Sequence, residues 1–259
     1  MQFTDQLGRK IYLDEFPKRI VSLVPSQTEL LYDLGLANRV VGITKFCIHP
    51  NSWYKEKKRV GGTKNINFNV LNSLQPDLVI ANKEENTKSE VEQLMKNYPV
   101  WVSDIGNLKD SLTMISSIGE LTNTVDKASA IIAKITADFD KLYPLFNSTV
   151  AYIIWNKPMM SVNKTRFIHD MLQRNGFTNV FANCTSHYPT ITKEQIQKAN
   201  PAFILLSSEP FPFKQKHIDY YQNICPNSKV VLVDGELFSW YGSRLQKSVE
   251  YFSNLFNNL

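Results

Sequence analysis

The chain has 259 residues, of which 43% are hydrophobic and 20% are charged, and its formal net charge is +5. This composition is typical of a globular protein with one large α/β domain or two modest domains. The basic residues are spread out, with no run longer than Lys57–Arg59, so we expect no nucleic-acid partner. No apolar segment approaches transmembrane length, and three cysteines are too few for a disulfide framework.

The segment RIVSLVPSQTELLYDLGL, residues 19–36, joins two periodicities. Its first apolar run, Ile20–Val24, is typical of a buried strand, and the leucines that follow recur at helical spacing. Ser26 precedes Glu29 by three residues, which predicts a capping box at the start of the helix. The Pro25–Ser26 turn is therefore expected to direct free backbone N–H groups towards a ligand beyond the end of the strand.

Strands and helices alternate along most of the chain, which indicates an α/β fold with mainly parallel sheets. Further strands are predicted at Lys10–Leu13, Val40–Thr44, Leu78–Ala81, Val100–Ser103, Val150–Trp155, Phe203–Leu206 and Val230–Val233. Helices are predicted at Val91–Lys96, Phe167–Arg174 and Ser243–Phe256.

The middle of the chain has a different pattern. Residues 108–146 show no strand signal, and two apolar stripes predict two consecutive helices. The second, which opens at Asp126 just after Thr124, would run for about 20 residues, or roughly 30 Å. A long helix here would connect the α/β segments on its two sides.

Two segments on either side of this helix repeat a pattern. QPDLVIANKE, residues 75–84, and NPAFILLSSE, residues 200–209, each place a polar residue and a proline before an apolar strand and a glutamate after it. We predict two similar α/β lobes, and the domain bounds are 1–106, 107–147 for the connecting helices, and 148–259.

Aromatic residues recur just past the carboxyl ends of predicted strands, where parallel α/β sheets bind ligands. They are Phe46, Trp155, Trp240 and Tyr241, with Tyr188 in a comparable loop. Such rings suit a large, flat, partly apolar ligand, although any single ring more often packs in a core or loop. Lys64, Arg166 and Arg244 lie close enough in sequence to neutralise an acidic ligand, or are surface residues.

No catalytic motif is present: the chain lacks a G-x-S-x-G elbow, an H-E-x-x-H motif and a P-loop. The missing motifs count against enzyme activity, and we expect no cofactor and no resident metal. Cys47 and His49 lie two residues apart and could chelate a metal, but a structural site needs about four ligands. Glu84, Glu85 and Glu209 follow strands in the repeated segments, where exposed, solvated charge is their simplest role.

The stretches KRIVSLVPSQTELLYDLGL, VVGIT and GGTKNINFNVLNSLQPDLVIA, followed by a long helix and a second lobe, resemble the helical-backbone (class III) substrate-binding proteins of ABC importers. These carry cobalamin, ferric siderophores or haem, and residues 19–105 are most similar to the cobalamin-binding members. The resemblance implies two α/β lobes bridged by a rigid helix, with a ligand cleft floored by the Pro25–Ser26 turn. It also implies that a surface glutamate on each lobe docks onto the permease: Glu209 on the second, and Glu84 or Glu85 on the first, with Glu90 a further candidate.

Aromatic walls and few basic residues favour a corrinoid such as cobalamin, because catecholate or carboxylate siderophores need an Arg/Lys cluster. The expected partners are this metal chelate and the permease subunits, and the protein is expected to be a monomer. The family is extracytoplasmic, yet the opening MQFTDQLGRKIYL shows no signal-peptide pattern. A cytoplasmic corrinoid-handling protein and a cleft enzyme, either a hydrolase or metal-dependent, therefore stay alternative hypotheses.

Overall fold

A computed structural model describes residues 1–143 and 147–257, which form two compact units. Unit 1 comprises Met1–Ile105, Lys109–Thr136 and Tyr241–Gln246. Unit 2 comprises Gly106–Leu108 and the described parts of Ala137–Trp240 and Lys247–Leu259. The predicted α/β class is confirmed, whereas the predicted domain bounds and the ligand cleft stay predictions.

Unit 1 combines a five-stranded parallel sheet with two short antiparallel hairpins. Its strands are β1 (Gln2–Thr4), β2 (Lys10–Tyr12), β3 (Ile20–Ser22), β4 (Val40–Ile43), β5 (Lys58–Arg59), β6 (Gly61–Gly62), β7 (Asn65–Ile66), β8 (Leu78–Asn82) and β9 (Val100–Ser103). Its helices are α1 (Pro25–Asp33), α2 (Asn51–Glu56), α3 (Phe68–Ser73), α4 (Lys88–Leu94), α5 (Leu108–Leu121) and α6 (Val125–Asp140), of which α5 begins and α6 ends in unit 2. The sheet has the order β5-β4-β3-β8-β9, and β1-β2 and β6-β7 form the hairpins.

Three strands of this sheet are buried on both faces, which explains why their sequences are continuously apolar rather than alternating. Every residue of β3, β8 and β9 is buried. Val21, Val79 and Val102, one from each strand, belong to a single hydrophobic cluster. Each strand nevertheless ends on a buried polar residue, namely Ser22, Asn82 and Ser103. The carboxyl end of the sheet is thus the place where the core gives way to polar chemistry.

Unit 2 contains a four-stranded parallel sheet. Its strands are β10 (Ser148–Ile153), β11 (Phe177–Asn179), β12 (Phe203–Ser207) and β13 (Lys229–Val233). Its helices are α7 (Phe167–Arg174), α8 (Lys193–Ala199), α9 (Gln215–Ile224), α10 (Gly235–Ser239) and α11 (Leu245–Asn257), of which α11 begins in unit 1. The strand order is β11-β10-β12-β13, and all of the pairs are parallel.

The two repeated segments take the same local structure. Gln75 and Asn200 both adopt left-handed backbone conformations, with φ of 44° and 41°, directly before a proline. This conformation ends each preceding helix, and the proline prevents the helix from continuing. The strands that follow, β8 and β12, each lie between two others in their sheet. Glu84 and Glu209 therefore occupy equivalent positions just past an inner strand.

Two local predictions were wrong, the capping box of α1 and the length of the long helix. The α1 helix starts at Pro25 with Val24 as its N-cap and no side-chain capping bond, because proline is itself suited to the first helical position. The strand predicted at Lys10–Leu13 is observed as β2, which pairs only with β1 in a hairpin. The α6 helix has 16 residues and a length of about 24 Å, so it is shorter than the predicted long helix.

Within the described ranges, no helix combines the length and apolar character needed to cross a membrane.

Candidate functional site

In unit 1, the predicted Pro25–Ser26 turn forms the first two residues of α1, shortly after β3 ends, and both residues are buried. The segment that carries Tyr241 and Gly242 packs against this turn, since a Cβ added to Gly242 would lie 3.4 Å from the carbonyl oxygen of Ser26. The structure therefore brings together Ser26 and Tyr241, two ligand candidates that are separated by most of the chain.

Tyr241 is 7% exposed, and its hydroxyl donates a 3.0 Å hydrogen bond to Oε1 of Glu85. Burial, and then the charge of Glu85, raise the pKa of Tyr241 well above its ordinary value. The phenol therefore stays protonated and serves as a hydrogen-bond donor at neutral pH. Its ring and the Glu85 carboxylate form one fixed group at the end of the sheet.

The sequence suggested that Arg244 could neutralise an acidic ligand, but in the structure Arg244 is paired with Glu29. Its Nε and Nη2 donate hydrogen bonds of 2.7 and 3.0 Å to the two carboxylate oxygens of Glu29. The side chains are only 9% and 10% exposed. This bidentate ion pair neutralises both charges inside unit 1.

The loop after β8 is organised by Asn82. Its Oδ1 accepts the backbone N–H groups of Glu84 and Glu85, at 2.8 and 3.0 Å. Both glutamates are half-buried rather than exposed. Glu90 instead faces the β6-β7 hairpin, where its Oε1 accepts the backbone N–H of Ile66 at 3.0 Å. The permease-docking role of Glu84 or Glu85 stays a prediction, and the bond to Ile66 gives Glu90 a structural role.

Phe46 follows β4 and is 50% exposed, so its ring is open to a ligand. The ammonium of Lys45 lies 5.1 Å from the centre of this ring. Sequence reasoning selected Phe46 and the exposed Lys64, which lies in the turn of the β6-β7 hairpin, but missed Lys45. The signal was present, because Lys45 lies beside Phe46 past the same strand.

Cys47 lies in the same loop but is buried, and the hydroxyls of Thr28 and Thr44 are 3.1 and 3.2 Å from its sulfur. Burial raises the pKa of the Cys47 thiol to about 11. A neutral thiol is a poor metal ligand. In the part of the chain that the structure describes, no three histidine, cysteine, aspartate or glutamate side chains are grouped to hold a metal ion.

In unit 2, Trp155 follows β10 and is 38% exposed. Its Nε1 donates to the carbonyl of Lys157 at 3.0 Å, and its ring meets that of Phe211 edge-on, with 5.6 Å between the ring centres. These contacts fix the ring while leaving part of its surface accessible.

A second cluster of side chains in unit 2 brings two further ligand-binding candidates, Arg166 and Tyr188, near each other. Arg166 is the N-cap of α7, and its Nε donates to the hydroxyl of Thr165 at 3.1 Å. The same hydroxyl lies 2.8 Å from Nδ1 of His187, the residue before the half-buried Tyr188. The structure therefore places Arg166 near the loop that carries Tyr188.

Glu209 is half-buried, although the sequence led us to expect exposure. Its Oε1 accepts hydrogen bonds from the Ser239 hydroxyl at 2.6 Å and from Nε1 of Trp240 at 2.9 Å. Gly235 leaves room for this side chain, because a Cβ there would lie 2.7 Å from Cγ of Glu209. The docking role of Glu209 and the ligand role of Trp240 stay predictions, but a hydrogen bond connects the two side chains.

Burial, and then the charge of nearby Glu236, raise the pKa of Glu209. In the window between its ordinary pKa, near 4.5, and the raised value, the folded state binds more protons than the unfolded state. Stability must therefore fall as pH rises through this window.

We expect Glu209→Gln, which keeps the accepting oxygen, to gain stability relative to the wild type between about pH 4 and about pH 8. Urea denaturation over this range measures the difference, and Glu15→Gln, on a side chain 66% exposed, is the control. A constant difference between Glu209→Gln and the wild type would contradict the assignment.

Comparisons with known proteins agree with this architecture. Residues 20–220 match the family model described as periplasmic binding protein. A vitamin B12-binding protein of Vibrio parahaemolyticus is 26% identical over 195 residues, which cover 73% of this chain and 70% of that protein. The ABC transporter substrate-binding lipoprotein YvrC of Bacillus subtilis is 27% identical over 262 residues, covering 95% and 82%. The catecholate-siderophore-binding protein VctP of Vibrio cholerae superposes with a TM-score of 0.80 at 15% identity, covering 98% and 99%, which shows a shared fold.

The family match spans well over half of the 259 residues and runs from β3 into α9. It therefore includes strands from both parallel sheets, together with the predicted ligand candidates Phe46 and Trp155. Its members are binding proteins. The chain belongs to the periplasmic binding protein family and is a substrate-binding protein of the ABC-import type.

Proposed function

We propose that the protein captures a corrinoid such as cobalamin and delivers it to the permease of an ABC importer, without catalysing a reaction. The ion pair between Arg244 and Glu29 is the main observation behind this choice of ligand. Because Arg244 is bound to Glu29, one of the cations predicted to neutralise an anionic ligand is already neutralised. The relatives named for vitamin B12 binding support the same choice.

Charge at the end of the unit 1 sheet favours a ligand without a large negative charge. The carboxylates of Glu84 and Glu85 follow β8, and Glu85 is bonded to Tyr241. A ferric catecholate bears several negative charges and needs converging cations, whereas cyanocobalamin has no net charge. Carboxylates placed near the ligand would repel the first and tolerate the second.

Exposed aromatic rings supply the attractive contacts. Phe46 and Trp155 are 50% and 38% exposed, and each follows a parallel strand. Trp155 can bury much area against the flat macrocycle, and Phe46 against another flat group of the ligand, each with a specific stacking geometry.

The permease is the expected macromolecular partner, and an extracytoplasmic location goes with it. Glu209 and one of Glu84 and Glu85 are proposed to dock onto permease arginines. Such docking would use carboxylates that are already oriented, that of Glu209 by Ser239 and Trp240 and that of Glu85 by Tyr241. An oriented carboxylate loses less entropy on forming an ion pair.

Titration with cyanocobalamin, followed by tryptophan fluorescence, tests the proposal. We expect saturable quenching, and Trp155→Ala should weaken binding at least about tenfold, because large aromatic anchors dominate binding energy. Tyr12→Ala is the matched control, since Tyr12 is an exposed aromatic residue, at 65%, on the β1-β2 hairpin.

Quenching by haem or a ferric siderophore but not by cyanocobalamin would keep the family and reject the corrinoid. Equal affinities of the wild type, Trp155→Ala and Tyr12→Ala for cyanocobalamin would keep the ligand and reject Trp155 as a contact.

A further inference from the structure

An open pocket lies within unit 1, beside the β6-β7 hairpin. It has a volume of about 460 Å³ and is lined by Lys45, Gly61, Gly62 and residues 65–69. This size is at the low end of the roughly 300–1,000 Å³ that is typical of small-molecule sites. It can hold one arm of a corrinoid, but it is too small for the whole macrocycle.

The walls of this pocket are fixed by backbone bonds. The N–H of Lys45 donates to the carbonyl of Gly61 at 2.8 Å, and the N–H of Asn67 donates to the carbonyl of Val60 at 2.8 Å. Gly61 has a φ of +99°, and a Cβ there would lie 2.8 Å from the backbone nitrogen of Asn67, so only glycine fits this tight turn. The Glu90 carboxylate binds the N–H of Ile66 in the same hairpin. A preformed wall of this kind reduces the ordering cost of binding.

A cation and an aromatic ring lie beside Gly62, which lines the pocket. Lys45 is exposed, and its ammonium lies over the ring of Phe46. Both side chains rest on Gly62, because a Cβ there would be 3.3 Å from the Phe46 ring and 3.5 Å from Cε of Lys45. The missing side chain of Gly62 therefore allows cation and ring to lie together there.

The rest of the lining is rich in amides. Asn65 and Asn69 are exposed there, and Asn67 uses its Oδ1 to accept the N–H of Val70, which leaves its NH₂ group as a donor. Primary amides both donate and accept, so they suit hydroxyl and carboxamide groups. The pocket thus combines a single positive charge, an aromatic surface and several amides.

We infer that this pocket is a subsite for the nucleotide arm of the corrinoid, in which Lys45 binds the phosphodiester and Phe46 packs against the aromatic base. The inference rests on the proposed function. The arm carries one negative charge, a flat base and a ribose with hydroxyl groups, and each has a counterpart in the pocket. A charge-assisted bond to the phosphate would give the arm its orientation.

Cyanocobalamin and dicyanocobinamide provide the test, because the second lacks the nucleotide arm and neither has a net charge. We expect the wild type to bind cyanocobalamin at least about tenfold more tightly. Lys45→Met should weaken cyanocobalamin binding about tenfold and leave dicyanocobinamide binding unchanged. Phe46→Leu should show the same selectivity for the arm. Lys96→Met, which removes an exposed lysine outside the pocket, is the matched control for charge.

Two results would overturn the inference while leaving the proposed function intact. One is equal binding of the two corrinoids by the wild type. The other is a Lys45→Met variant whose affinity for both corrinoids changes by the same factor. Failure of the wild type to bind either corrinoid would instead overturn the proposed function and, with it, the subsite.

Discussion

Arg244→Met is expected to lower the free energy of unfolding by about 3–5 kcal/mol. The substitution keeps most of the apolar stem but leaves the Glu29 carboxylate buried without its main cation. That carboxylate loses two charge-assisted hydrogen bonds, of 2.7 and 3.0 Å, in a place that water reaches poorly. Equilibrium urea denaturation measures the loss.

The exposed pair Lys83–Asp104 provides the matched control. Its side chains are 58% and 39% exposed, so Lys83→Met should cost less than about 1 kcal/mol. The double variant Arg244→Met/Glu29→Leu should recover much of the lost stability, because no uncompensated charge remains. If Arg244→Met costs no more than Lys83→Met, the Glu29–Arg244 pair contributes no more to stability than an exposed ion pair does, which would contradict this prediction.

Short-range patterns were enough to predict the α/β framework. The predicted strand Val100–Ser103 and the predicted helix Phe167–Arg174 have the observed bounds. Both are runs whose periodicity and flanking residues agree, and agreement between local signals makes an assignment reliable. The repeated helix–proline–strand segments succeeded for the same reason, since the proline and the left-handed residue before it act locally.

Features that depend on distant partners could not be predicted in this way. Glu29 and Arg244 are 215 positions apart, and nothing near Glu29 distinguishes an ion-pair residue from a capping residue. The S-x-x-E pattern is matched there, but Pro25 starts the helix and Glu29 turns to Arg244. The half-buried position of Glu209 likewise depends on Trp240, which lies 31 residues further along the chain.

Phe238→Ala is the second substitution with a large expected effect, a loss of about 3–5 kcal/mol in the free energy of unfolding. Phe238 has no exposed surface, and its ring centre lies 5.2 Å from that of Tyr152 and 4.8 Å from that of Phe252. Truncation would therefore leave a cavity among aromatic rings that cannot easily collapse. The α10 helix, which carries Phe238, ends at Ser239 and is followed by Trp240, and these two residues are the donors to Glu209.

Two further variants separate cavity formation from a general effect of losing an aromatic ring. Phe238→Leu keeps most of the volume and should cost less than about 1.5 kcal/mol. Tyr220→Ala removes a ring that is 50% exposed in the same unit and should cost less than about 1 kcal/mol. Urea denaturation that gives similar losses for Phe238→Ala and Tyr220→Ala would contradict the role of Phe238 as the anchor of α10. We expect Phe238→Ala to have a much lower free energy of unfolding than Phe238→Leu and Tyr220→Ala. That order would support the conclusion that core packing around Phe238 holds α10, and with it the donors to Glu209, in place.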